Sequence, residues 1–270
     1  MLEKIKATSA YISEKVKREP KVGIILGTGL GGLVNEIEIY ESIDYKDIPN
    51  FPVSTVQGHA GRLIFGKLGR KEVLAMQGRF HYYEGYSMQE VTFPVRVMKM
   101  LGITHLFVSN ASGGLNPSFR VGDIMVISDH INMFPEHPLH GKNIDELGPR
   151  FPDMSHAYND RLRNKARLIA FEHDFDLNEG VYVGVPGPTF ETPAEYKMFR
   201  ILGGDAVGMS TVPEVIVACH MGMKVFGISI ITDSGVPGQI VEVSHEEVQK
   251  VAMKAEPKMS LILKELINSF

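Results

Sequence analysis

The sequence is 270 residues long with 44 % hydrophobic and 22 % charged residues, the composition of a globular chain and not of a disordered one. Its 28 Lys and Arg against 32 Asp and Glu leave a formal net charge of −4, which argues against a dedicated nucleic-acid binder. The single cysteine, Cys219, excludes an internal disulfide framework and fits a reducing compartment.

No secretory leader is expected, because Met1–Lys17 intersperses charge with apolar residues. The longest apolar stretch, Val215–Thr232, is broken by His220 and Lys224, so no membrane span is expected and the chain reads as cytoplasmic. Apolar runs of strand length alternate with segments of helical period throughout, which is the α/β pattern. No composition break divides residues 1–270, so one α/β domain is expected.

The first predicted strand, Val22–Leu26, runs into Gly27-Thr28-Gly29-Leu30-Gly31-Gly32. Backbone N–H groups in such a turn converge on an anion, and the Thr28 hydroxyl adds a donor. Gly27, Gly29 and Gly32 also match G-x-G-x-x-G, so a dinucleotide site is an alternative, although no acidic residue closes a second strand about 20 positions on. A purely structural glycine turn is a third reading, and no G-K-[ST] follows to make a Walker loop.

Two strings flank the short strands Leu63–Phe65 and Val73–Ala75: Gly58-His59-Ala60-Gly61-Arg62, and Gln77-Gly78-Arg79-Phe80-His81-Tyr82-Tyr83-Glu84-Gly85. Arg79 and His81 lie two apart, so on extended chain they project to one face, where a guanidinium and an imidazole can share one phosphate. A solvated Arg beside a satisfied core His is the bland alternative. The strand Leu106–Ser109 is expected to end in the small-residue turn Asn110-Ala111-Ser112-Gly113-Gly114, the usual position of ligands in an open α/β sheet. Met98 and Met100 read as core. After the strand Ile124–Ile127, the segment Ile131–Pro152 reads as a long loop with His137 and His140. The spacing of His130, His137 and His140 fits no defined metal site, so no metal is expected.

Past the strand Val181–Val185, Gly187-Pro188-Thr189-Phe190-Glu191 delivers a ring and a carboxylate together, able to stack on a heterocycle and accept from its N–H. Thr192–Glu195, Thr211–Glu214 and Ser244–Glu247 each have the spacing of a helix-capping box. Between them lie Val207-Gly208-Met209-Ser210 and the strand Val225–Ile231, which ends at Thr232-Asp233. The last predicted helix continues to Leu266, with a bend expected near Pro257.

Six of these strings, Leu26–Gly31, Gly58–Leu63, Gln77–Gly85, Asn110–Pro117, Gly187–Glu195 and Asp205–Val217, stand in the order and approximate spacing of one family. In them the chain resembles the trimeric, low-molecular-mass purine nucleoside phosphorylases. The resemblance implies a central mixed β-sheet flanked by helices, a homotrimer with sites near subunit interfaces, and reversible phosphorolysis of purine (deoxy)nucleosides to free base and (deoxy)ribose 1-phosphate. Inosine and guanosine are the implied substrates, inorganic phosphate the co-substrate, and no cofactor is implied.

Carried onto this chain, Thr28 (Ser is common in the family), His59, Arg79, His81, the Ala111 backbone and Ser210 would hold phosphate. Tyr83, Met209 and His245 would line the ribose, with Phe151 contributed by a neighbouring subunit. Phe190, Glu191, Val207, Thr232 and Asp233 would surround the base, and His81, Glu191 and Asp233 would be the catalytic groups. Inosine-selective members usually carry Asn at the position of Asp233; Asn can donate to N7 or O6, whereas an ionised Asp only accepts. An Asp there implies some adenosine activity, and it makes a methylthioadenosine phosphorylase the nearest rival, although His245 suits a 5′-hydroxyl. An NAD-dependent dehydrogenase and a catalytically silent purine-binding protein are the alternatives from other classes.

Overall fold

The computed structural model describes residues 1–53 and 60–270. In chain order the elements are α1 (Leu2–Lys15), β1 (Val22–Leu26), β2 (Ile37–Asp44), β3 (Arg62–Leu68), β4 (Lys71–Gln77), α2 (Met88–Val91), α3 (Phe93–Met100), β5 (His105–Gly114), β6 (Ile124–Asn132), α4 (Asp160–Glu172), β7 (Asn178–Gly184), α5 (Pro193–Ile201), β8 (Ala206–Gly208), α6 (Val212–His220), β9 (Lys224–Ser234) and α7 (His245–Asn268).

Among the described residues the strands form one nine-stranded mixed sheet in the order β2-β3-β4-β1-β5-β8-β7-β6-β9. An additional β5–β9 pairing closes its second half on itself. Alternation along the strands decides which face each side chain meets. Ile25 and Val108 point into a core shared with Ile5 and Ile12 of α1, Val95 of α3 and Val215 of α6. Ile24, Leu26 and Phe107 point the other way, against Leu162 of α4 and Met259 and Ile262 of α7. Helices therefore cover both faces. Met98 lies in the core as expected, but Met100 is 43 % exposed because it ends α3 on the solvent side.

The G-x-G-x-x-G reading is settled by topology. After β1 the chain makes only a short 3-10 helix, Gly31–Glu36, and then β2, which pairs antiparallel with β3. A dinucleotide site needs a strand, a long helix and a parallel strand, and that unit is not formed here.

Several strands extend further than the sequence indicates. The small-residue run after Ser109 is not a turn: β5 continues to Gly114, paired with β9. Small side chains permit this, since a Cβ on Gly113 would stand 2.8 Å from Asp233 Oδ2. Ile131 and Asn132 belong to β6, so the expected loop begins only at Met133. β2 is an edge strand with mostly exposed side chains, and α1 and α4 carry so many charges that their apolar stripes are diluted.

The capping boxes at Thr192 and Ser244 form as expected, each hydroxyl accepting from the N–H three residues on. α7 runs across Pro257 without interruption. No described helix is long and apolar enough to cross a membrane. Ser244→Ala should cost about 1 kcal/mol through loss of the cap, read as a lower urea midpoint with an unchanged slope.

Candidate active site

Parallel β1, β4 and β5 lie side by side, and β1 stops at Leu26 while β5 continues to Gly114. The segment of β5 beyond Ser109 is thereby uncovered on one edge, outside the carboxyl end of β1, where open α/β sheets bind ligands. Gly27 crosses this point at close range. A Cβ there would stand 2.7 Å from Ser109 O and 3.2 Å from Arg79 Nη1, so only glycine lets the turn approach.

A cavity of about 440 Å³ opens at this place. Thr28 enters from the turn after β1, Arg79, His81, Tyr83 and Glu84 from the segment after β4, and Asn110 and Ala111 from β5. Met209 and Ser210 follow β8, Pro188 and Phe190 follow β7, and His245 and Val248 open α7. Of the expected site residues, eight meet here: Thr28, Arg79, His81, Tyr83, Ala111, Met209, Ser210 and His245, with Phe190 as the ninth. His59 lies outside the described residues.

Arg79 is 1 % exposed and its guanidinium is held on two sides. Nε donates to Glu214 Oε1 at 3.1 Å, Nη2 to Glu214 Oε2 at 2.6 Å, and Nη1 to the Ser109 carbonyl at 2.6 Å. Glu214 is the third residue of α6, so the helix N-terminus also favours its charge. The sequence assigned Glu214 to a capping box with Thr211, and that box does not form. Thr211 instead has φ 72° and ψ −54°, and Val212 N–H donates to Ser210 O at 2.7 Å, which is a strained γ-turn. The Thr211 hydroxyl accepts from Asn110 Nδ2 at 2.8 Å, and Asn110 Oδ1 accepts from Ser229 Oγ at 2.5 Å. Buried side chains of β5 and β9 thus hold the strained turn that presents Ser210.

His81 is set by Glu84, whose Oε1 accepts from the His81 backbone N–H at 2.7 Å and faces Nδ1 at 3.2 Å. The His81 ring stacks on Tyr83 with centroids 4.7 Å apart. Burial lowers the His81 pKa, and the nearby Arg79 charge adds to that, against the raising effect of Glu84. The imidazole is therefore neutral near pH 7, and with Nδ1–H directed at Glu84 it presents Nε2 as an acceptor.

Glu191, Thr232, Asp233 and Val207 do not line this cavity. They form an adjoining cluster: Gly113, two residues and about 7 Å along β5 from Ala111, is the point about which Asp233 and Val207 pack. Tyr196 of α5 donates its hydroxyl to Asp233 Oδ2 at 3.2 Å, and Thr232 Oγ1 lies 3.0 Å from Asp233 Oδ1. Burial raises the Asp233 pKa against both hydrogen bonds. Burial also raises Glu191 to about 7, with the charge of Asp233 contributing.

Phe151 is 88 % exposed and stands on another face, beside His130 and Met154. Sequence reasoning missed the roles of Glu84, Asn110, Glu214 and Tyr196. Glu84 and Asn110 lay inside quoted motifs, whereas nothing in the sequence tied Tyr196 to Asp233.

The model of the phosphorylase superfamily matches residues 21–268. Purine nucleoside phosphorylase 1 of Geobacillus stearothermophilus is 52 % identical over 98 % of this chain and 97 % of its own length. Isoform 2 of purine nucleoside phosphorylase from Schistosoma mansoni, solved with cytosine and ribose-1-phosphate, superposes with a TM-score of 0.95 at 45 % identity, covering 99 % of this chain and 96 % of that one. A Schistosoma mansoni purine nucleoside phosphorylase solved with inosine gives a TM-score of 0.94 at 40 % identity, with the same coverage of 99 % and 96 %.

Stripping one member from the Arg79–Glu214 pair leaves the other charge buried and alone. Glu214→Ala should therefore lower stability by about 3–5 kcal/mol in urea unfolding.

Proposed function

The chain belongs to the phosphorylase superfamily, and from that membership we propose that it catalyses reversible phosphorolysis of purine (deoxy)nucleosides, inosine and guanosine foremost, in purine salvage. The observation that carries this reading is a single cavity walled by the described anion-holding groups, by the expected sugar-facing Tyr83, Met209 and His245 and by Phe190, with the Glu191–Asp233 cluster beside it. Phosphate would be held by Thr28, Arg79, His81, Ala111 N–H and Ser210, with His59 added from outside the described residues. Tyr83, Met209 and His245 would line the ribose and Phe190 would cover the base.

In the reaction, the C1′–N9 bond breaks with its electron pair going to the purine, and a phosphate oxygen forms the new bond to C1′. Positive charge develops on the sugar and negative charge on the base. An anchored phosphate supplies both the nucleophile and the counter-charge, so the scheme uses no metal and no organic cofactor. Arg79 is prevented from turning by Glu214 and Ser109 O, so it meets the anion already oriented. Neutral His81 accepts from the P–OH of monoprotonated phosphate through Nε2, which leaves the unprotonated oxygens for attack.

At the base, ionised Glu191 would accept from N1–H of a 6-oxopurine. Asp233, whose pKa burial raises, would donate to N7 in its protonated form, neutralising charge as the base departs. His245, 3.0 Å from Gln249 Nε2, gives the sugar end a polar character that suits a 5′-hydroxyl over a thioether. The exposed ring of Phe151 fits insertion into a second copy, as a homotrimer would require. The single, half-buried Cys219 fits a reducing, cytoplasmic setting.

Free hypoxanthine should appear from inosine only when phosphate is present; phosphate-independent release would mean a hydrolase. With Glu191 titrating at about 7, kcat/KM for inosine should rise between about pH 6 and pH 8 as the acceptor form appears, and Glu191→Gln should remove that limb. Asp233→Asn should shift the inosine-to-adenosine ratio of kcat/KM by about tenfold towards inosine, since a mispaired buried polar group costs about 1–3 kcal/mol. An unchanged ratio would remove Asp233 from selectivity.

A further inference from the structure

Away from the catalytic cavity, α3 and α6 meet the segment that follows β6 around a second, smaller hollow of about 50 Å³. Its wall includes Arg96 of α3, His220 at the end of α6, and His140, Lys142 and Asn143 of the long loop, together with Met1. No residue is shared with the catalytic cavity.

Arg96 is 6 % exposed, yet its Nε and Nη1 have no hydrogen-bond partner. His220 is 4 % exposed, and both its ring nitrogens are likewise unbonded. Burial lowers the His220 pKa, and the Gly148 and Pro149 backbone lies close enough to the ring to raise it in opposition, although no contact falls within the hydrogen-bond limit. A buried guanidinium is ordinarily paired with a carboxylate. Among the described residues no Asp or Glu lines this hollow, while a lysine and two histidines do. Burial alone lowers the Arg96 pKa, to about 10, so the group is still a cation at neutral pH.

We infer that this hollow is a binding site for a small inorganic anion, a halide or a tetrahedral oxyanion, held by Arg96 Nε–H and Nη1–H with His220 and Lys142 completing its shell. The preference for an anion follows from the donor set: a guanidinium and an ammonium have only donors, and a neutral imidazole can supply one more. The hollow is far too small for a nucleoside. An anion there joins α3 and α6 to the loop that carries His140 and Lys142, so its binding should stabilise the fold without entering the reaction.

The test uses the full chain and bromide as the probe. Crystals soaked in sodium bromide should show an anomalous peak within hydrogen-bond distance of Arg96. In solution, sodium bromide should raise the thermal midpoint by a few degrees over sodium gluconate at equal ionic strength, and Arg96→Met should abolish that rise while leaving the KM for phosphate unchanged. Sodium sulfate, run in parallel, reports whether the site takes an oxyanion as well as a halide: the sulfate increment that Arg96→Met removes belongs to this site. Should Arg96→Met fail to fold, Lys142→Ala must reduce the bromide shift. An undiminished shift in the variant, no peak at Arg96, a peak with no effect in solution (binding at crystal concentration only), or a carboxylate of a neighbouring copy seated in the hollow would each overturn the assignment.

Discussion

The buried pair between Arg79 and Glu214 is the interaction on which the rest of the site depends. It ties the segment leaving β4 to the first turn of α6, and through Ser109 O it ties both to β5. Three elements that are far apart in sequence are thus held in one hydrogen-bonded plane, at the point where β1 ends. Removing two charges from water is costly, and such a pair is weak evidence for stability. Its value here is positional. A bidentate carboxylate fixes the guanidinium plane, which a lysine or a solvated arginine would not achieve.

A second network carries order from the strands to the strained turn. Ser112 Oγ lies 2.6 Å from Ser229 Oγ, Ser229 donates to Asn110, and Asn110 donates to Thr211, whose hydroxyl lies 3.1 Å from Ser210 Oγ. The positive φ of Thr211 costs on the order of 1–3 kcal/mol and persists only where surroundings over-determine it. Asn110, bonded to the Thr211 hydroxyl, and the Arg79–Glu214 pair at the start of α6 supply that constraint. The other end of the network touches the base cluster, since Thr232 Oγ1 lies 3.2 Å from Ser112 O. The turn that presents Ser210 and the cluster around Asp233 are therefore both braced on β5 and β9.

What was legible in the sequence follows from this geometry. Strands buried on both faces, such as Val22–Leu26 and Val225–Ile231, announce themselves as apolar runs, and the glycine- and histidine-bearing strings beside them hold nearly all the cavity-lining residues. Elements whose burial is one-sided were hidden: β2 exposes most of its side chains, and α4 packs only Leu162, Ala166, Ile169 and Ala170 inward among its charges. Local spacing also misled where a long-range partner outcompeted the local one. Glu214 sits at cap distance from Thr211 but bonds Arg79, which is 135 residues away in the chain. No single-sequence pattern encodes such a pairing, nor that of Tyr196 with Asp233.

The charge of the cradle is largely cancelled by the protein itself. Arg79 is neutralised by Glu214, and His81 is kept uncharged by burial while Glu84 stands beside it. An anion bound as proposed would be held mainly by directed N–H and O–H dipoles and by an acceptor nitrogen of the described residues. For a reversible phosphorolysis this is the useful compromise. A strongly cationic pocket would bind phosphate and sugar phosphate tightly in the ground state, and uniform binding of that kind lowers KM without accelerating the chemical step. In the proposed reaction, groups already oriented by Glu214, Glu84 and Asn110 would need no reorganisation when the sugar becomes cationic, which would concentrate their contribution in the transition state.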